Sequence, residues 1–236
     1  MKYILELKKV NKIYNVDKKE IKTLNNLDLK IKEGDFVVVT GPSGSGKTEL
    51  LNIIGGLDKV NSGKILIDQE NISEYKEDEL TELRAQKMMY ILKTGNLLPT
   101  LTVKENVEMI TYLTGEKIDV DKWLDKVKLL KSKNKFVHHL TPLEQQKVAF
   151  ARAFAKNASI LLCNNPTEFI ASKDVLDIAK LLKEYHGKGK DKKTIIMITD
   201  NILFEQVADV VVKMKNGKIE KTTRLRKKKK VEDISW

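Results

Sequence analysis

The sequence predicts an α/β fold: a mainly parallel sheet flanked by helices and interrupted by an inserted helical subdomain. Three observations predict it. Short apolar, β-branched runs that read as strands buried on both faces alternate with segments of helical spacing. One such run, "DFVVVT" (35–40), stops at a glycine-rich turn and gives way to a helix. The alternation then breaks between about residues 86 and 157, where the chain is mostly helical.

In chain order, "LELKKV" (5–10) and "LDLKIK" (27–32) alternate with period two, as half-buried strands do. After the turn, "ELLNIIGGL" (49–57) has helical spacing and "GKILID" (63–68) reads as another strand. "EDELTELRAQK" (77–87) is helix-like and "MMYIL" (88–92) strand-like. "VKENVEMITYL" (103–113) and "VDKWLDKVKLLK" (120–131) are amphipathic helices, and "LEQQKVAFARAFAK" (143–156) is rich in strong helix formers. "SILLC" (159–163) reads as a strand and "DVLDIAKLLKEY" (174–185) as a helix; "TIIMIT" (194–199) and "DVVVKM" (209–214) are further buried strands. The folded domain is expected to span residues 1–221. Residues 222–236, polar and basic, read as a loose tail.

The composition, 41% hydrophobic and 33% charged over 236 residues, is that of a globular chain. No apolar run reaches the eighteen or so residues of a membrane helix, and "MKYILELKKVNK" is too interrupted for a signal peptide. One cysteine excludes a disulfide framework, so a cytosolic location is the default. The net charge of +11 has three readings: nucleic-acid binding, attraction to an anionic membrane face, or plain solubility in a lysine-rich chain. Cys163 ends a buried strand and reads as core; His138 and His139 lack paired ligands; Trp123 and Trp236 read as packing and tail residues.

Gly41, Pro42, Ser43, Gly44, Ser45, Gly46, Lys47 and Thr48 match G-x-x-x-x-G-K-[ST]. Strand before and helix after are the context this motif requires. Its glycines let successive N–H groups turn inward, and the helix that follows presents its positive end to an anion. Lys47 puts a point charge on the outer phosphates, and the Thr48 hydroxyl is placed to ligate Mg²⁺.

Further stretches line up in order around this loop: "KIYN" (12–15), "ELLNIIGGLD" (49–58), "SGKI" (62–65), "NLLPTLTVKENV" (96–107), "QQKVAFARAFAKNASILL" (145–162), "NPT" (165–167), "TIIMIT" (194–199) and "MKNGKI" (214–219). Together they resemble the ATP-binding subunit of an ABC transporter, in the branch that drives lipoprotein release, macrolide-type efflux and the related cell-division complex. The resemblance runs from about residue 3 to 220. It implies a P-loop NTPase core with a small antiparallel β-subdomain and a helical signature subdomain, ATP as ligand, and an integral membrane permease as partner. It also implies a head-to-tail dimer at the cytoplasmic face of the cell membrane, either a homodimer or a heterodimer with a paralogous ATP-binding subunit. Tyr14 falls where the family stacks an aromatic on adenine, although a core tyrosine would read the same way. Glu49 departs from the family's threonine; it suits the helix dipole and brings negative charge toward the α-phosphate.

Position by position, the same resemblance implies lost catalysis. Lys93 stands where the family has the glutamine that ligates Mg²⁺ and senses the γ-phosphate. "LTPLE" (140–144) replaces the Leu-Ser-Gly-Gly-Gln signature, so Pro142 removes an N–H and Leu143 adds bulk. Asn164 replaces the aspartate that holds Mg²⁺ through water, and Asn165 the glutamate that polarises the attacking water. Ala171 replaces a further aspartate, and Asp200 the histidine that contacts the γ-phosphate. An amide accepts no proton at neutral pH, and loss of a general base costs about 10²–10⁴ in rate. With weakened Mg²⁺ binding, the Lys93 ammonium could stand in for the ion; a solvated loop lysine is the alternative. The expectation is a pseudo-ATPase: the fold of an ATP-hydrolysing class, with nucleotide held and little or none split. Two alternatives stay open, a slow but active ATPase and a scaffold that holds no nucleotide. No nucleic-acid partner is expected, since the long coiled-coil insertion of DNA-associated relatives is missing.

Overall fold

The structure, a computed structural model, describes residues 2–17 and 19–236, without the side chains of Val16 and Lys190. In chain order its first half holds β1 (Tyr3–Val16), β2 (Lys19–Lys32), β3 (Phe36–Thr40), α1 (Lys47–Ile54), β4 (Ser62–Ile67), β5 (Glu70–Asn71), α2 (Glu77–Lys87) and β6 (Met88–Ile91). The second half holds α3 (Val103–Thr114), α4 (Val120–Lys126), α5 (Pro142–Lys156), β7 (Ile160–Asn164), α6 (Val175–His186), β8 (Thr194–Ile198), β9 (Val210–Lys215) and β10 (Lys218–Arg224).

The two hydrophobic patterns in the sequence become two sheets. The period-two strands form an antiparallel four-stranded sheet in the order β2-β1-β4-β5. The continuous apolar runs form a six-stranded sheet in the order β10-β9-β3-β8-β7-β6, parallel throughout except for β10 at its edge. This is the mainly parallel sheet expected from the alternation of buried strands and helices. Central β3 is buried on both faces. Phe36 and Val38 join the core under the helical part, while Val37 and Val39 join the core shared with α1 and the antiparallel sheet.

The helical insertion begins after Ile91, because "MMYIL" supplies β6 to the main sheet. Inside it, α4 stops at Lys126 rather than continuing to residue 131 as its periodicity suggests. Lys128 takes a left-handed backbone at φ 63°. Its N–H bonds to Asp125 O and that of Leu129 to Leu124 O, both at 2.8 Å. That pair of bonds is the αL helix stop usually made by glycine, closed here by the burial of Leu129. Trp123 stacks nearly parallel on Phe154 at 6.3 Å, a packing role.

The reading of a loose tail from Thr222 is corrected. Thr222, Thr223 and Arg224 complete β10 against β9. Arg224 forks onto Asp35 with nitrogen–oxygen distances of 2.9 and 2.5 Å. Beyond it the Lys229 N–H bonds to Gln206 O, Val231 and Ile234 are buried, and the Trp236 ring lies 4.7 Å from that of Phe204. The lysine run masks this apolar triplet in a composition-based reading. Burying two aliphatic side chains is worth roughly 1.5–3 kcal/mol each. Deleting residues 230–236 is therefore expected to cost about 3 kcal/mol and to lower Tm by roughly 6–12 °C. A calorimetric scan showing an unchanged Tm would contradict the docked arrangement.

Candidate functional site

Neighbouring parallel strands β3, β8, β7 and β6 all end at one edge of the sheet, the place where open α/β sheets collect ligand-binding groups. The loop Gly41–Gly46 leaves β3 there, Thr199 and Asp200 leave β8, Asn164 ends β7 with Asn165 next to it, and Lys93 lies just beyond β6. The topology thus brings Lys93, Asn164, Asn165 and Asp200 to the edge that carries the glycine-rich loop, while "LTPLE" opens α5.

The loop depends on its glycines. Gly46 caps α1 at φ 94°, and a Cβ there would stand 2.6 Å from the Thr23 carbonyl oxygen. No side chain caps α1, so the N–H groups of its first turn remain available to an anion. The Pro42 carbonyl accepts from Ser45 N at 3.2 Å, and Ser43 and Gly44 form the exposed crest. The Ser45 hydroxyl is buried without a partner among the described residues. Thr48 is exposed, and Glu49 lies half-buried in the first turn of α1.

Lys47, 8% exposed, folds back over the loop. Its ammonium donates to Gly41 O at 2.6 Å and Pro42 O at 3.0 Å, and lies 3.3 Å from Asp200 Oδ1. Asp200 Oδ2 accepts from Asn165 Nδ2 at 3.1 Å, and Asp200 N donates to Asn165 Oδ1 at 3.0 Å. Asn165 N is tied in turn to Ile198 O at 2.9 Å. The result is a closed amide–carboxylate–ammonium chain across β7, β8 and the loop. Its neighbour Asn164 leaves a buried Oδ1 without a partner among the described residues.

Lys93 pairs with a carboxylate, its ammonium 2.6 Å from Glu168 Oε2. The carbonyls of Leu92 and Lys93 are held by Nε2 of buried Gln146, at 2.8 and 2.7 Å, so the turn after β6 is braced by α5. The sequence reading missed Glu168 and Gln146. Glu168 lies inside the quoted "NPTEF" and Gln146 inside "QQKV", but their partners are distant in sequence.

Tyr14 is half-buried and outside both hydrophobic cores, at the border of the antiparallel sheet. Its hydroxyl donates to Asp58 Oδ2 at 2.5 Å, and Lys12 Nζ lies 4.7 Å from its ring centroid and 2.6 Å from Asp58 Oδ1. Desolvation, then the bond to Asp58, push the phenol up to about 12, with Glu49 adding to the effect. Against desolvation that would raise it, hydrogen bonds from Lys12 and Tyr14 hold the Asp58 carboxyl below its ordinary range.

"LTPLE" makes a self-contained helix start. Thr141 caps α5, accepting from Glu144 N at 3.3 Å, while Glu144 Oε2 accepts from Thr141 N at 2.9 Å and from its hydroxyl at 3.0 Å. Pro142 fills the first helical position, where it has no N–H to offer. Glu144 is an internal anion at the helix start, and of the first three helical residues only Leu143 keeps an N–H without a capping partner.

The family model for ABC transporters matches residues 24–168. A putative ABC transporter ATP-binding protein of Mycoplasma pneumoniae is 37% identical over 99% of this chain, which spans 50% of that relative. The ABC transporter ATP-binding protein MJ0796 of Methanocaldococcus jannaschii is 36% identical, over 94% of this chain and 98% of its own length. The lipoprotein-releasing system ATP-binding protein LolD of Buchnera aphidicola is 33% identical over 92% and 96%. The dimeric structure of a post-hydrolysis state of MJ0796 bound to ADP and Pi superposes with a TM-score of 0.85, at 35% identity, covering 94% of this chain and 99% of that one.

Proposed function

The chain belongs to the ABC transporter ATP-binding family, and from that premise we propose that it holds a nucleotide at Gly41–Thr48 with little or no hydrolysis, acting on a membrane permease. The observation that carries this reading is the amide–carboxylate–ammonium chain of Asn165, Asp200 and Lys47. The position that would activate water is a carboxamide whose oxygen is already bonded to the Asp200 N–H. It lacks the basicity that general-base work needs, and the Asp200 N–H already occupies one of its two lone pairs.

The remaining groups support the same reading. The Thr48 hydroxyl and the orphaned Asn164 Oδ1 are uncharged donors for Mg²⁺, and the Asp200 carboxylate is already engaged by Lys47 and Asn165. Among the described residues no group of three or more acidic, His or Cys side chains could hold a metal. This set does not fit a resident divalent ion, which calls for carboxylate or phosphate oxygens. The self-capped start of α5 likewise has little to offer a phosphate presented by a partner subunit. Among the described residues no helix is long and apolar enough to cross a membrane. The surplus of Lys and Arg suits a cytoplasmic, lipid-facing placement, at about 1 kcal/mol per basic residue near anionic lipid.

The expected result is that ATP or ADP raises Tm of the purified protein while phosphate release stays at background. Lys47→Ala removes a charge-assisted contact worth about 1.5–3 kcal/mol and weakens binding roughly 10- to 100-fold by calorimetric titration. Phosphate release at a rate typical of ATPases, lost in Lys47→Ala, would overturn the non-hydrolytic part. One observation favours a nucleotide-free scaffold instead: all three Lys47 donors already meet protein oxygens. A flat thermal-shift titration with both nucleotides decides for that alternative.

A further inference from the structure

We infer that the site is selective for a nucleoside diphosphate over a triphosphate, with the Asp200 carboxylate as the built-in anion that excludes the third phosphate. The inference rests on the nucleotide-binding reading above and concerns which nucleotide the loop accepts.

Lys47 has three N–H donors. Two go to the carbonyls of Gly41 and Pro42, fixed parts of the loop, and the third faces Asp200 Oδ1 at 3.3 Å. A phosphate reaching that ammonium from beyond the loop has to displace the carboxylate or share the lysine with it. Asn165 anchors the Asp200 main chain through its N–H and steadies the carboxylate through Oδ2.

Beside Lys47, the lining of the adjoining cleft carries one further cation against three carboxylates. The cleft beside the loop is lined by Asp200, Glu205 and Glu220 against a single lysine, Lys213, which is 3.4 Å from Glu205 Oε2. Glu205 is itself fixed by the Thr40 hydroxyl at 2.7 Å. Lys93, on the far side, is engaged by Glu168. The inner phosphates of a nucleotide meet the open N–H groups at the start of α1, which are satisfied by two phosphates as well as by three. A third phosphate adds negative charge where three carboxylates already stand.

The test is calorimetric titration of ADP and of ATP, in EDTA, into the full chain and into Asp200→Asn, with circular dichroism confirming that both are folded. The wild-type protein is expected to bind ADP about tenfold more tightly than ATP at low salt, a gap that narrows as salt screens the exposed carboxylate. Asp200→Asn keeps the acceptor for Asn165 and removes the charge, so ATP affinity should rise by about tenfold and ADP affinity by much less. Equal binding, or tighter ATP binding, in the wild-type protein sinks the selectivity while leaving the nucleotide reading intact. So does a variant that leaves the ADP-to-ATP ratio unchanged. If neither nucleotide binds either protein, the selectivity and the reading beneath it fall together.

Discussion

Asn165→Glu, made alone, is expected to leave phosphate release at background. The new carboxylate would face Asp200, the partner of the present amide at 3.1 Å, and two like charges in one site disfavour the ionised base. The start of α5 would still be closed by its capping box. Repairing the set together is a different matter. A variant carrying Lys93→Gln, Asn164→Asp, Asn165→Glu and Asp200→His, with Thr141→Ser, Pro142→Gly, Leu143→Gly and Glu144→Gln, restores base, metal ligand, imidazole and open helix start. Phosphate release should then rise by about 10²–10⁴, the contribution of a positioned general base. The decisive comparison is a coupled phosphate assay on the two variants side by side. If the single substitution hydrolyses ATP as fast as the full set, the claim that several defects act together is wrong.

Gly46→Ala should abolish the nucleotide-dependent rise in Tm. The added Cβ would stand 2.6 Å from a backbone oxygen of β2, which cannot move without breaking the strand, and the residue sits at φ 94°. Backbone strain of this kind costs about 1–3 kcal/mol before the clash is counted. The loop and the α1 N-terminus would both have to shift. Gly44→Ala is the matched control: it shares a positive φ, 74°, but a Cβ there meets nothing within 4 Å. Only the left-handed strain remains, about 1 kcal/mol, and most of the thermal response should survive. Thermal-shift titrations of the two variants settle the point; equal loss in both would mean that the Thr23 contact is irrelevant.

Those contrasts show what was legible in the sequence. The strand–loop–helix unit around Gly41–Thr48 could be read directly, because its residues act on one another locally. The buried strands were equally plain, since β3, β7 and β8 carry apolar residues on both faces. The links that define the site were not legible. Asn165 and Asp200 are 35 residues apart and meet only because β7 and β8 are neighbours. Either residue read singly looks like a simple loss of function, and the bond between them appears only in three dimensions. Lys93 was open between standing in for Mg²⁺ and being solvated; in the fold it is a partly exposed lysine paired with Glu168, a partner distant along the chain that the sequence did not announce. The end of α4 was hidden because Lys128 takes a backbone that glycine or asparagine would have announced.

The docked C-terminus has a consequence beyond stability. Trp236 rests on Phe204, and Lys229 is tied to Gln206, within the turn Ile202–Gln206 that follows Asp200. The last residues thus buttress the very segment that presents the counter-anion to the glycine-rich loop. Clipping them, or tethering a bulky tag to Trp236, should retune the charge beside the loop from the opposite end of the chain, without altering a single residue that a nucleotide would touch.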